Sequence, residues 1–317
     1  MIFIHFGIFI ARAKVALIKI GECLMDVRTK LIRRKILSLD DLPTISNNVQ
    51  RLLSMLKDQE SDMTQVILEI NKDAILVSKI LKLVNSGYYN MPQNVTNIDQ
   101  AVNLVGYKRV WEMIMSTTFM DMMSGAEKSI LKHSYACSIL ARDLVNQYQL
   151  RASENFQLTV LMHDIGKMVL REYNNATFNL SIKMAHAESL PVYFVEKKNL
   201  GITHSQAGCW LLEHWGLSED QTKPVLQHHD IDADDYIVET AIIQVCDFVD
   251  NTVRGITVDK PHQLILEKAG LGQVDFYPML IEHTNLLAEI EPDFEVLEKS
   301  QKSYKSAAVR SNEQRVN

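Results

Sequence analysis

The chain has 317 residues, of which 47% are hydrophobic and 23% charged, and this balance excludes a disordered or fibrous protein. Its net charge of −6 offers no general attraction for nucleic acid or for an anionic membrane surface, and we expect neither as a partner. The four cysteines include no C-x-x-C pair. This argues against a disulfide framework and a thiolate zinc site, and it makes the cytoplasm the expected compartment.

The chain begins with an apolar run, MIFIHFGIFI, that precedes the first positive charges. This order is the reverse of a secretory signal, and the run is far shorter than the roughly 20 apolar residues of a membrane span. We treat residues 1–34 as an N-terminal extension, which is either a start placed upstream of Met25 or a genuine strand or helix. The basic segment at 30–35, KLIRRK, predicts a solvated helix face.

Apolar residues recur at three- and four-residue spacings while proline and glycine are scarce, which predicts an all-α, multi-helix bundle. An N-terminal helical lobe is expected over residues 35–124. Within it we predict a helix capped by Ser46 or Asn47, a second helix after Asp73, and a third that Gly106 closes.

The methionine-rich stretch at 111–123 suits either a buried core or an adaptable binding surface. Histidines become frequent beyond it, and we place a lobe boundary near 124–128. A second helical lobe is expected over 125–285, and residues 286–317 are expected to form a C-terminal helix and a polar tail. We expect the lobe at 42–123 to pack against the second one and to cover part of the mouth of its site.

The sharpest local feature is the sequence LMHDIGK at 161–167, in which His163 and Asp164 follow an apolar helical stretch. Adjacent residues on a helix point about 100° apart, so both reach one metal ion only if the helix ends there or the carboxylate bridges outward. Gly166 permits such an ending.

Further histidines and aspartates fall on or beside four other predicted helices. Imidazole and carboxylate ligands from separate helices suit iron, manganese, nickel or zinc in a mono- or binuclear site. The absence of thiolate ligands fits a catalytic site better than a structural one. The residues concerned are His133, His204, His228, His229 and Asp247.

For two residues, Asp247 and Lys167, the sequence leaves alternatives open. Asp247 is either a buried carboxylate that needs a cationic partner or a solvent-facing residue at a helix edge. Lys167 either neutralises a phosphate at the site or faces the negative pole at the end of a helix.

The order of these residues resembles that of the HD superfamily of metal-dependent phosphohydrolases, and HDIGK is similar to the form found in its HD-GYP branch. The resemblance narrows to the HDOD family, the HD-related output domain of bacterial signalling proteins, over about residues 35–250. The segments that resemble this family are DAILVSKILKLVNSGYYNMP, IDQAVNLVGYKRV, HSYACSILA and GITHSQAGCWLLEHWGL.

The resemblance implies a bacterial signal-transduction module that acts by binding a signalling protein partner. It also implies metal ligation by His133, His163, Asp164, His204, His228, His229 and Asp247. No Gly-Tyr-Pro follows the second histidine pair, so the cyclic-di-GMP hydrolysis of the HD-GYP branch is disfavoured. The alternative is a metal-dependent phosphohydrolase with a nucleotide or other phosphate ester as its ligand. Asp164 would then bridge two ions or orient the nucleophile, and Lys167 would stabilise developing negative charge.

Overall fold

A computed structural model describes residues 27–40, 42–57, 62–106, 109–123 and 128–290. The predictions for the first residues and for the polar tail lie outside these ranges. All regular secondary structure within them is helical, which confirms the all-α prediction. Nothing in the described ranges has the length and hydropathy of a transmembrane helix.

The N-terminal helices begin and end largely where the sequence predicts. Ser46 accepts a hydrogen bond from the Val49 amide, Asp73 caps the helix that follows it, and Gly106 ends another with a φ of 90°, which favours glycine. One short helix, α3, was not predicted. The helices are α1 (residues 27–37), α2 (Asn47–Lys57), α3 (Met63–Asn71), α4 (Ala74–Val84), α5 (Ile98–Val105) and α6 (Val110–Met123).

Helix α6 is apolar around most of its circumference and is buried accordingly. The methionines of the 111–123 stretch therefore serve the core, and the alternative of an adaptable binding surface does not apply. The buried ones are Met113, Met115, Met120 and Met123.

In the basic segment at 30–35, only Ile32 is buried, as a solvated helix face requires.

The C-terminal part supplies the helices that carry the histidines and aspartates. The helices are α7 (Lys128–Tyr148), α8 (Phe156–Met162), α9 (Ile165–Glu188), α10 (Val192–Leu200), α11 (His204–His214), α12 (Glu219–Gln227), α13 (Ile237–Val253), α14 (Gln263–Lys268) and α15 (residues 276–290).

Two hydrophobic clusters meet at α7 and α8. The first runs through α1–α6 and includes Leu131 and Tyr135 of α7 and Leu161 of α8. The second packs the opposite side of α7, at Leu140 and Leu144, against α13 and α14. Because α7 and α8 contribute to both clusters, the N-terminal helices pack directly on the helices that carry the site.

Helices α9 and α11 cross with their backbones in contact. A Cβ atom at Gly166 would overlap the carbonyl oxygen of His204 and lie 2.5 Å from the amide nitrogen of Gly208. The crossing brings the start of α9 next to His204, the first residue of α11. Gly166 lies inside the first turn of α9, so its role is close packing and the prediction that it ends a helix is wrong.

Candidate metal centre

The His163–Asp164 pair occupies a break between two helices. Helix α8 ends at Met162 and α9 begins at Ile165, so the two side chains are not held on one regular helical surface. Nε2 of His163 lies 3.7 Å from Oδ2 of Asp164. The helix therefore ends where the sequence argument requires, and both groups face one centre.

A first group of potential ligands surrounds Nε2 of His133. This nitrogen lies 3.2 Å from Nε2 of His163, 3.4 Å from Oδ2 of Asp164 and 3.2 Å from Oδ1 of Asp247. Helices α7 and α13 and the turn at 163–164 thus contribute side chains to one point. Asp247 is only 8% exposed, so the solvent-facing alternative for it is wrong.

A second group lies on the other side of Asp164. Nε2 of His204 is 3.4 Å from Oδ1 of Asp164, 3.3 Å from Nε2 of His228 and 2.9 Å from Nε2 of His229. The His229 ring stacks on Tyr193 with centroids 4.3 Å apart. Asp164 therefore faces the first group with one carboxylate oxygen and the second group with the other.

Hydrogen bonds fix the orientation of four of these imidazole rings. The Nδ1 atoms of His163 and His228 donate to the carbonyl oxygens of Val160 and Val225, at 2.7 and 2.6 Å. A carbonyl oxygen only accepts, so Nδ1 carries the proton and Nε2 has a free lone pair. In the same way, Nδ1 of His204 donates to the carboxylate of Glu196 at 2.7 Å.

The fourth ring, His133, is oriented by a carboxylate that the sequence analysis missed. Its Nδ1 donates to Oδ2 of Asp250 at 2.6 Å, while Nε2 of His283 donates to Oδ1 of Asp250 at 2.7 Å. Arg254 donates to the same carboxylate. Asp250 is three residues beyond Asp247, on nearly the same face of α13, and this spacing could have indicated its role from sequence. No sequence pattern indicates the roles of His283 and Glu196.

Burial sets the protonation of the second group. Desolvation, together with His204 and His163, lowers the pKa of His228 to about 3. Desolvation and His228 hold the pKa of His229 well below its ordinary value. Both rings are therefore neutral near pH 7, which is the form that binds metal. Burial alone would raise the pKa of Asp164, but Lys167 and the histidines outweigh it and hold that pKa well below its ordinary value.

This donor set fits a cation. In the second group the Nε2 lone pairs of His204 and His228 face one another at 3.3 Å, and such a pair repels unless a cation lies between the two atoms. Among the described residues, three sets of three place ligand atoms within 4.8 Å of one another, and one of them is His133, Cys137 and Asp250. The other two are His133, His163 and Asp164, and His204, His228 and His229. Both could hold a metal ion. Burial raises the pKa of the nearby Cys137 thiol to about 12, so that thiol stays protonated and is a poor ligand.

Lys167 contacts Oδ2 of Asp164 through its ammonium group. It lies in the first turn of α9, at the positive end of the helix macrodipole, where a cation is unfavourable. The alternative that it faces the negative end of a helix is therefore wrong. Burial would lower the pKa of Lys167, but Asp164 and Asp247 outweigh it and raise that pKa, so the side chain stays charged beside the centre.

Two openings lead to the centre. The small opening has a volume of about 70 Å³ and is lined by His204, His228, His229 and Asp247, among others. The large cavity has a volume of about 600 Å³ and reaches His133 and Asp164. The described residues that line them lie between 129 and 262. No described residue of the lobe at 42–123 lines either opening, so the expectation that this lobe covers part of the mouth is wrong for its described part.

The fold and the site together define an all-helical protein with a buried histidine–aspartate centre. The family model of the HDOD domain matches residues 42–231, more than half of the chain, and the chain belongs to this family. The matched region ends before Asp247, Asp250 and His283, so part of the centre is built by helices beyond it.

Relatives and solved structures are also similar to this chain. An uncharacterized protein of Treponema pallidum is 21% identical over 72% of this chain and 45% of its own length. The chain spans less than half the length of the curated relatives it matches. The crystal structure of an HDOD domain protein of unknown function from Geobacter sulfurreducens has a TM-score of 0.65, with 22% identity over 87% of this chain and 98% of that one.

A crystal structure from Shewanella amazonensis, named as a candidate phosphohydrolase, has a TM-score of 0.63 and 16% identity, and the match covers 85% of this chain and 97% of that one. At these identities the likeness to the two crystal structures shows a common fold.

Proposed function

We propose that this HDOD chain holds two divalent transition-metal ions and hydrolyses a phosphate ester. The first ion would be held by His133, His163 and Asp247, and the second by His204, His228 and His229. Asp164 would bridge them, since its two oxygens face different groups at similar distances. The single observation that carries this proposal is the convergence of six potential ligands, four of them rings oriented by hydrogen bonds, around the Asp164 carboxylate. Imidazole and carboxylate ligands are compatible with iron, manganese, nickel or zinc.

A bound metal pair supplies a water of lowered pKa and polarises a phosphoryl oxygen. The side chains of this protein attract the phosphate and orient the ligand rings. Lys167 keeps an ammonium group next to the bridging carboxylate, where it attracts a phosphate and stabilises negative charge that develops on it. Asp250 and Glu196 hold the rings of His133 and His204 in the tautomer that presents Nε2. The name of the Shewanella amazonensis neighbour agrees with this chemistry.

The test is turnover of bis(p-nitrophenyl) phosphate and p-nitrophenyl phosphate by protein reconstituted with manganese, iron or zinc. We expect metal-dependent release of p-nitrophenol that falls by at least about 100-fold in His163→Ala and in Asp164→Asn. His214→Ala is the matched control, because His214 lies on the same helix as His204 but is exposed at its far end. Equal rates in His163→Ala and the control would contradict the proposal.

A second proposed role is the one that HDOD membership favours, namely signal-transduction output through a bacterial protein partner. It is compatible with the first, because a metal centre can also stabilise a binding surface. Complementation of a deletion strain separates the two roles. Rescue by wild-type protein but not by a folded Asp164→Asn variant makes the output depend on the metal centre. Full rescue by that variant assigns the output to binding alone.

A further inference from the structure

The large cavity beside the centre has a distinct distribution of charge. Of the described residues that line it, three carry a permanent positive charge, and the only carboxylate is Asp164. Lys167 contacts that carboxylate, and Arg254 lies beside the Asp250 carboxylate at 2.6 Å. The third cation, Arg171, stands over the Phe178 ring at 5.7 Å. Cations clustered at one end of a cavity select an anionic group there.

One face of α9 explains this arrangement. Lys167 and Arg171 are one turn apart before Asn174, Phe178 and Ile182 are one turn apart after it, and all four line the large cavity. The backbone of α9 is non-helical at Asn174, between the two halves of this face. The wall of the cavity therefore changes from cationic near the centre to apolar away from it.

Apolar side chains extend this surface from other elements. Ile130, Leu190, Val192 and Ile256 also line the cavity. Ile182 is 36% exposed and Ile256 is 45% exposed, so an apolar rim surrounds the opening. A cavity of about 600 Å³ lies within the range of small-molecule sites.

The small opening is narrower than the large cavity. Its volume is about 70 Å³, against about 600 Å³ for the large cavity. Asp247, Asp259 and Lys260 line it beside the histidines, so its charges are mixed. The large cavity therefore offers more room for an organic group.

We infer that the large cavity binds the organic part of the substrate, and that this part is bulky and apolar. The phosphate of the ester would lie at the metal pair beside Lys167, and the apolar body would extend towards Ile182 and Ile256 at the rim. This inference rests on the proposed function, because it assigns the phosphate to the metal centre. It distinguishes the substrate from sugar phosphates and other small, polar esters.

The test is isothermal titration calorimetry of metal-loaded protein with methyl-, butyl- and hexylphosphonate, whose C–P bond resists hydrolysis. Burying one methylene contributes ~0.8 kcal/mol, or about fourfold in affinity at full burial. We therefore expect butylphosphonate to bind at least about tenfold more tightly than methylphosphonate, and hexylphosphonate more tightly still. Equal affinities for the three ligands would overturn the inference while leaving the metal–phosphate interaction intact. Failure of all three to bind would overturn both proposals.

Two matched substitutions show which opening holds the alkyl chain of the phosphonate. Ile182→Asp places a carboxylate at the rim of the large cavity, and we expect it to remove the gain with chain length while methylphosphonate still binds. Ile231→Asp places the same charge at the small opening, where Ile231 is 63% exposed, and the gain is expected to persist. If Ile231→Asp removes the gain and Ile182→Asp preserves it, the organic group lies in the small opening and the inference is wrong.

Discussion

Gly166→Ala tests whether the contact between α9 and α11 positions the centre. The new Cβ would overlap the His204 carbonyl oxygen and lie 2.5 Å from the Gly208 amide nitrogen. Real Cβ atoms essentially never approach other heavy atoms within 3.0 Å, and both obstacles are backbone atoms that no rotamer change moves away. The Gly208 nitrogen alone would require the two helices to separate by 0.5 Å, and the deeper overlap with the His204 carbonyl oxygen requires more.

Overpacking of this kind costs about 1–3 kcal/mol, and more where the backbone must move. Alanine gains at most about 1 kcal/mol of helix propensity over glycine. We therefore expect a net loss of at least about 2 kcal/mol, which is roughly 4–8 °C in Tm by the scaling for domains of 150–250 residues. Moving His204 away from Asp164, 3.4 Å apart in the structure, is also expected to weaken the second metal site.

Urea unfolding of metal-free protein measures the first effect, and metal titration measures the second. Gly208→Ala is the matched control, because its Cβ would lie 3.1 Å from the Gly166 nitrogen and needs a shift of only a few tenths of an ångström. We expect that variant to lie within about 1 kcal/mol of wild type. A Gly166→Ala protein as stable as wild type would refute the close crossing of the two helices.

Three further predictions concern other parts of the molecule. Asp250→Asn removes the charge that orients His133, and metal affinity is expected to fall about 10–100-fold in a competition titration; unchanged affinity would contradict the role of Asp250. Burial raises the pKa of Glu112 from 4.5 to about 7, so the native state retains a proton that the unfolded chain loses. Stability should therefore fall by about 3 kcal/mol as the pH rises through that interval, and urea unfolding of Glu112→Gln should show no such fall. Limited proteolysis should not release two stable halves at 124–128, because we propose that the lobes at 35–124 and 125–285 form one folding unit.

Much of the fold was accessible from sequence because its helices are strongly patterned. The start of α4 after Asp73 and the closure of α5 by Gly106 depend on local geometry, and both were predicted. Helix α3 was missed although Asp62 accepts a hydrogen bond from the Thr64 amide as its N-cap. Its nine residues are too few for the apolar pattern to stand out from its surroundings.

For the candidate site, the seven proposed ligands could be chosen from sequence, but the network that orients them could not. Glu196 reaches His204 only because α10 packs beside the start of α11, and His283 reaches Asp250 from a helix outside the family match. The role of Gly166 was misread for a similar reason, since a distant crossing of two backbones determines it. Tertiary contacts of this kind leave no periodic signal in the chain.

The proposed metal pair depends on the seven histidines and aspartates. It can be measured by elemental analysis of protein purified without an affinity tag or chelator, with His163→Ala and Asp164→Asn beside the control His214→Ala. We expect two transition-metal ions per chain in wild type and control, and loss of metal in both site variants. Wild-type protein that contains no metal and takes up none on reconstitution would contradict it.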